Sequence, residues 1–306
     1  MTKKRMIGNL MLLITSFFWG TAFVFQRYGM DHIEPLTFNA ARMFLAFLAL
    51  CIVVAVTEML NKKKNLPETK SPQELAAFKK STLIGGAFCG LMLMLGITFQ
   101  QLGIVYTTAG KTGFITALYI VFVPIIGWVF LKKTINWLVG VSVVLAMVGM
   151  YFLSISGEFV LTKGDTLILI CAVCFALHIL ACDHFVHIAD VLKLSRMQFL
   201  VCAILSMIAA FVFETPTVAK LFDAAIPILF CGILSGGVGY TLQMLAQKHT
   251  DPTTASLILS LEAVFGVLGG WLILNEMMSG REILGCVIVF IAITLVQIPL
   301  PQKQKG

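Results

Sequence analysis

The chain has 306 residues, of which 59% are hydrophobic and only 12% charged; a soluble domain carries roughly 25% charged residues. The formal charge of +7 is not a nucleic-acid footprint, because it comes largely from short loops facing one side. Composition therefore excludes an ordinary soluble enzyme and points to an integral membrane protein.

Ten apolar stretches are long enough to span a bilayer, at about 17–25 residues each. They lie near 7–25, 36–57, 81–101, 108–131, 136–154, 164–182, 195–213, 225–247, 253–274 and 281–298. Their Leu, Ala, Gly and Met content without alternation predicts helices rather than a barrel. The first follows Lys3, Lys4 and Arg5, but its apolar run is too long for a signal core and no small-residue cleavage site follows, so it reads as a retained span. The connection from Glu58 to Lys80, with Pro67 and Pro72, reads as a solvated loop, and 183–194 as a partly amphipathic segment at the interface. With ten spans and an inside N-terminus, only Arg27, Arg42, Lys111, Lys163, Lys220 and Arg281 of the 22 Lys and Arg fall at outer ends. That bias satisfies the positive-inside rule and places both termini in the cytoplasm.

The two halves, 1–156 and 157–306, echo each other. Phe88-Cys89-Gly90 matches Phe230-Cys231-Gly232, and Thr98, Gln100 and Leu102 match Thr241, Gln243 and Leu245. Thr107-Thr108-Ala109 matches Thr253-Thr254-Ala255, Phe122 and Trp128 match Phe265 and Trp271, and Gly140 precedes the last span as Gly285 does. The order is kept at offsets of 142 to 146. A five-span unit repeated in line must be inverted relative to its copy. The predicted fold is therefore an all-α integral membrane protein of ten transmembrane helices in two inverted five-helix repeats, an architecture of secondary transporters.

The chain resembles the drug/metabolite transporter superfamily, specifically its EamA-type ten-span family. The resemblance rests on Phe18-Trp19-Gly20 in the first span, Arg42 in FNAARMFLAF, and SLILSLEAVFGVLGGWLILNE with Glu262 and Glu276, then Gly285. It covers about 7–298. Two departures are Lys132-Lys133 where the family usually has Glu, and Ala263 after Glu262 where many relatives have Pro. The resemblance implies a central cavity lined by spans 1, 3, 4, 6, 8 and 9.

Glu262 lies near the middle of its span, where a charge costs roughly 2.5–3.5 kcal/mol on insertion scales. It reads as a site for a substrate amine or a coupling proton, or as a packing device. Arg42 could bind a carboxylate, pair with an acid, or snorkel; Lys111, only about one turn inside span 4, could snorkel as well, or assist Glu262 from a cavity mouth formed with Gly110, Thr112 and Gly113. Gln100 and Gln243 occupy matching places, as packing devices or as two ends of a path. His178 could serve proton coupling or hydrogen-bonded structure. Trp19, Tyr119, Tyr240 and Trp271 are candidate cavity walls, whereas Trp128 and Trp137 read as interfacial anchors. Pro124 should kink span 4, opposite Gly266, Gly269 and Gly270 in span 9, giving paired weak points suited to a gate.

Cys171 and Cys174 form a C-x-x-C, but within an apolar helix without a nearby second pair they read as packing residues. No phosphate loop, H-E-x-x-H or G-x-S-x-G is present, so no cofactor, metal or covalent catalysis is expected. The reading is a secondary transporter, an exporter of a small metabolite such as an amino acid, in the cytoplasmic membrane. The alternatives are multidrug or quaternary-cation efflux and, from another class, an intramembrane enzyme or lipid-handling protein. The partners are a small-molecule substrate and the lipid bilayer, with proton coupling and a homodimer left open.

Overall fold

Without water in the hydrocarbon core, every backbone N–H and C=O must be satisfied inside its own segment, which helices achieve. The structure, a computed structural model, describes residues 3–63, 71–132, 136–154, 162–274 and 279–296, and all regular elements among them are helical. They are α1 (Lys3–Gly29), α2 (Pro35–Lys63), α3 (Pro72–Ile104), α4 (Ala109–Thr116), α5 (Tyr119–Leu131), α6 (Trp137–Ser154) and α7 (Lys163–Phe185). Then follow α8 (Val191–Phe213), the short α9 (Val218–Asp223) and α10 (Ala225–Leu229), a π-helical stretch (Phe230–Tyr240), α11 (Thr241–Gln247), α12 (Pro252–Leu259), α13 (Leu261–Leu274) and α14 (Gly280–Val296).

Among the described residues, eight stretches are long and apolar enough to cross a membrane: Lys3–Gly29, Pro35–Asn61, Pro72–Ile104, Ala109–Leu131, Lys163–Phe185, Val191–Phe213, Ala225–Gln247 and Pro252–Ile273. Two shorter helices, α6 with 18 residues and α14 with 17, pack along each other. Helix starts follow local chemistry. Ser71 and Glu74 form a reciprocal capping box, as do Thr162 and Asp165, while Asp190 and Asp251 cap α8 and α12.

Three local expectations change. The loop expected over 58–80 is largely helical, because α2 runs on to Lys63 and the Ser71 cap starts α3 early; residues 64–70, like Lys133 and Glu276, lie outside the described residues. The segment 183–194 is divided between elements: α7 continues to Phe185, a turn follows, and Asp190 starts α8. Pro124 lies inside α5, so the helix continues through it. The break comes upstream at Ala117–Leu118, where Leu118 N–H bonds Ile115 O at 3.2 Å and Ile120 N–H bonds Ala117 O at 3.0 Å. These three-residue bonds tighten the helix before the proline is reached. Span 9 tightens likewise at Ser260, ahead of Gly266, Gly269 and Gly270, with Ala263 N–H bonding Ser260 O at 3.1 Å.

α3 packs against both α7 and α8, α2 runs along α8, and α1 lies between α13 and the π-helical stretch. Glycine permits two close, matching crossings. A Cβ on Gly90 would stand 2.6 Å from Gln198 O and 2.9 Å from Val201 Cβ. A Cβ on Gly232 would stand 2.8 Å from Arg42 O and 3.0 Å from Leu45 Cβ. The two crossings present the same surroundings in the two halves of the chain.

Candidate functional site

The two helix breaks aim their following helices at one place. Tyr119 is the first residue of α5, and Glu262 stands in the first turn of α13. Both side chains reach a central cavity. A carboxylate in a first turn also gains from the unsatisfied N–H groups there. Gly20 allows this approach from α1: a Cβ there would collide with the Glu262 carbonyl oxygen and stand 2.5 Å from Phe265 Cβ.

α1 contributes Trp19, Phe23 and Gln26 to the cavity, and α2 contributes Arg42 and Met43. Ile97 and Gln100 come from α3, Phe175, His178 and Ile179 from α7, and Ser235 and Tyr240 from the π-helical stretch. The cavity holds about 20 Å³, enough for a water or so, each needing about 10–15 Å³.

Its polar groups are buried, and several lack partners. Glu262 is 2% exposed and Arg42 3% exposed. Arg42 therefore faces the interior instead of snorkelling. Its Nε donates to Asn39 Oδ1 at 2.9 Å, and Asn39 Nδ2 donates to Ile97 O at 3.0 Å. Among the described residues, Arg42 Nη2, Glu262 Oε1, Tyr119 Oη and Gln26 Oε1 are buried without a hydrogen bond of regular geometry, although the Tyr119 and Glu262 side chains interact with each other. An unmet buried polar group costs about 1–3 kcal/mol, and more when charged. Four of them around one cavity form a surface ready for a polar occupant.

Other residues are better satisfied. Gln100 Nε2 donates to Thr116 Oγ1 at 3.2 Å. His178 Nε2 lies 2.9 Å from Gln198 Oε1, and the His178 ring meets Tyr240 edge-on at 5.6 Å. Trp19 Nε1 donates to Ser235 O at 3.1 Å, and its ring lies 4.5 Å from that of Tyr240.

Three expected site residues stand elsewhere. Lys111 is not a cavity wall; its Nζ lies 2.6 Å from Asp165 Oδ2, joining α4 to α7. Gln243 is fully buried outside the cavity, and its Nε2 donates to Gln247 Oε1 at 3.1 Å. Trp271 is 46% exposed and faces away from the cavity, because α13 turns its Glu262 side inward. Gly266 and Gly269 face α1, near Phe23 and Val24, and Gly270 is buried within α13, so this run is a packing seam below the break at Ser260.

Gln26 and Asn39 were missed by sequence reasoning. Spacing carried a signal for both. Trp19, Phe23 and Gln26 recur at four and seven residues, one face of a helix, and Asn39 lies one turn before Arg42.

Many apolar helices around a buried polar cavity define a multi-pass membrane protein of transporter type. The EamA-like transporter family matches the chain twice, over residues 6–155 and 162–298, and the chain belongs to that family. An uncharacterized transporter of Archaeoglobus fulgidus is 31% identical over 96% of this chain and 87% of its own length. The uncharacterized transporter YoaV of Bacillus subtilis is 24% identical over 94% of each. A solved crystal structure at 14% identity shares the fold with a TM-score of 0.73, covering 95% of this chain and 96% of that one.

Proposed function

We propose that the protein is a secondary transporter that exports a small zwitterionic metabolite such as an amino acid, through the central cavity, by alternating access. The carrying observation is that Arg42 Nη2 and Glu262 Oε1 are both buried and unpartnered on the walls of one cavity. A guanidinium suits a carboxylate, and a carboxylate beside Gln26 Oε1 and Tyr119 Oη suits an ammonium with N–H donors. A quaternary cation has no N–H to offer these acceptors and would face Arg42, which disfavours the drug-efflux reading. His178 and Glu262 are the groups we assign to proton coupling.

In this reading the ten membrane helices are α1, α2, α3, α4 with α5, α6, α7, α8, α10 through α11, α12 with α13, and α14. They form two inverted repeats, 1–156 and 157–306, with both termini in the cytoplasm. The matching crossings at Gly90 and Gly232, and the matching breaks before Tyr119 and Glu262, support this arrangement. Rocking one repeat against the other would widen a cavity that is narrow here. Purified protein in liposomes loaded with radiolabelled amino acids tests the reading. Wild type should release label and Glu262→Gln should not. The reading fails if correctly inserted Glu262→Gln protein moves substrate at the normal rate with unchanged pH dependence.

A further inference from the structure

We propose that the π-helical stretch Phe230–Tyr240 is a one-residue insertion in the second repeat, and that it sets substrate specificity by building the aromatic wall Trp19–Tyr240. This rests on the transporter and repeat readings above. Seven residues, 91–97, separate Gly90 from Thr98, while eight, 233–240, separate Gly232 from Thr241. The flanks on both sides nevertheless keep matching contacts. Before the insertion, Gly90 and Gly232 meet the same kind of surface. After it, a Cβ on Gly164 would stand 2.8 Å from Gly103 O, and a Cβ on Gly8 would stand 3.2 Å from Ala246 O.

The extra residue must therefore be absorbed between Gly232 and Thr241. That is where the chain becomes π-helical, whereas α3 continues as an α-helix through the matching segment. Extra residues taken up as π-turns are rare and frequent at functional sites.

The consequence is chemical as well as geometric. Two carbonyls of the stretch accept bonds from α1: Ser235 O from Trp19 Nε1 at 3.1 Å, and Gly239 O from Thr15 Oγ1 at 3.1 Å. Trp19 is thereby held against Tyr240, which also meets His178 and Phe199 edge-on. At the place matching Tyr240 the first half carries Ile97, also a cavity wall. The cavity thus has an aliphatic wall on one side and an aromatic, hydrogen-bonded wall on the other, and the second touches the substrate side chain.

The test is deletion of Gly237 in the full-length protein, with Trp19→Phe as a milder variant that keeps an aromatic ring, removes the indole N–H together with the pyrrole part of the indole, and leaves the backbone register unchanged. Melting temperatures are measured with glycine, alanine, phenylalanine and tryptophan as probes. Wild type should rank aromatic against aliphatic probes, and both variants should lose that ranking. An unchanged ranking in both variants overturns the proposal. A second reading needs no ligand: with Trp128, Trp137 and Trp271 replaced by Phe, deletion of Gly237 should shift Trp19 emission, and an unshifted spectrum overturns the insertion. If no probe stabilises wild type, the amino-acid reading fails, while the emission measurement still decides the insertion.

Discussion

Asn39 holds Arg42: its Oδ1 accepts from Arg42 Nε at 2.9 Å while its Nδ2 is tied to the Ile97 carbonyl of α3 at 3.0 Å. The guanidinium is thus fixed at one edge, and Nη2 is left without a partner. Preorganisation of this kind lowers the ordering cost of binding. Asn39→Leu should weaken binding of a carboxylate-bearing substrate about tenfold, or about 1.4 kcal/mol. Calorimetric titration with the amino acid that best stabilises wild type checks this; equal affinity would remove Asn39 from any positioning role.

Arg42→Lys should also fail to substitute. Lysine offers a point charge without the planar fork, and it lacks the Nε that Asn39 grips. The expected result is a loss of affinity of at least about tenfold with near-normal expression. Retained affinity would show that charge alone suffices at this place.

The scaffold was legible in the sequence because lipid imposes a strong rule: long apolar runs become helices. The motif Phe18-Trp19-Gly20 and the acid at Glu262 likewise led to the cavity. What was not legible depends on side-chain direction and on local backbone competition. Lys111 stood beside Gly110, Thr112 and Gly113, a stretch suited to a cavity mouth, yet Asp165, 54 positions away, claims it. Pro124 looked like the kink, yet the tightened turn at Ala117–Leu118 comes first. The one-residue difference between the halves was visible as a changed offset, but only the structure ties it to a π-helical stretch.

The Gly90 and Gly232 crossings predict equal sensitivity in the two halves. A Val side chain at either glycine would press on a backbone carbonyl, at 2.6 Å for Gly90 and 2.8 Å for Gly232 already at Cβ. Overpacking costs typically about 1–3 kcal/mol. Gly90→Val and Gly232→Val should lower the melting temperature by similar amounts. A large drop for one and none for the other would count against matching roles.

Glu34 lies between α1 and α2 and is bonded to Lys220 of α9. That hydrogen bond holds the Glu34 carboxyl below its ordinary value of 4.5. A lowered folded-state value means that the stabilisation is present above pH 4.5 and is lost as pH falls through the folded value. Both side chains are about one-third exposed, at 33% and 36%, so screening keeps the gain within about 0–1 kcal/mol. Glu34→Gln should slightly lower the melting temperature at pH 7 and leave it unchanged at pH 3. An equal drop at both pH values would assign the effect to packing.

Lys111 and Asp165 bind α4 to α7, and Asp165 is fully buried. Asp165 Oδ2 also accepts from Thr162 N–H at 2.7 Å, so the carboxylate closes the α7 cap as well as the ion pair. Removing the cation leaves a buried carboxylate, which typically costs about 3–5 kcal/mol. Lys111→Met should therefore be strongly destabilising. Asp165→Asn alone should also cost stability, because it removes the carboxylate that both the Lys111 ammonium and the Thr162 N–H bond. The double variant buries neither charge and should recover much of the loss, retaining a deficit from the weakened cap. A double-mutant cycle on melting free energies reads this coupling. Additive losses would mean that the two charges do not depend on each other, and that Asp165 is retained for its cap alone.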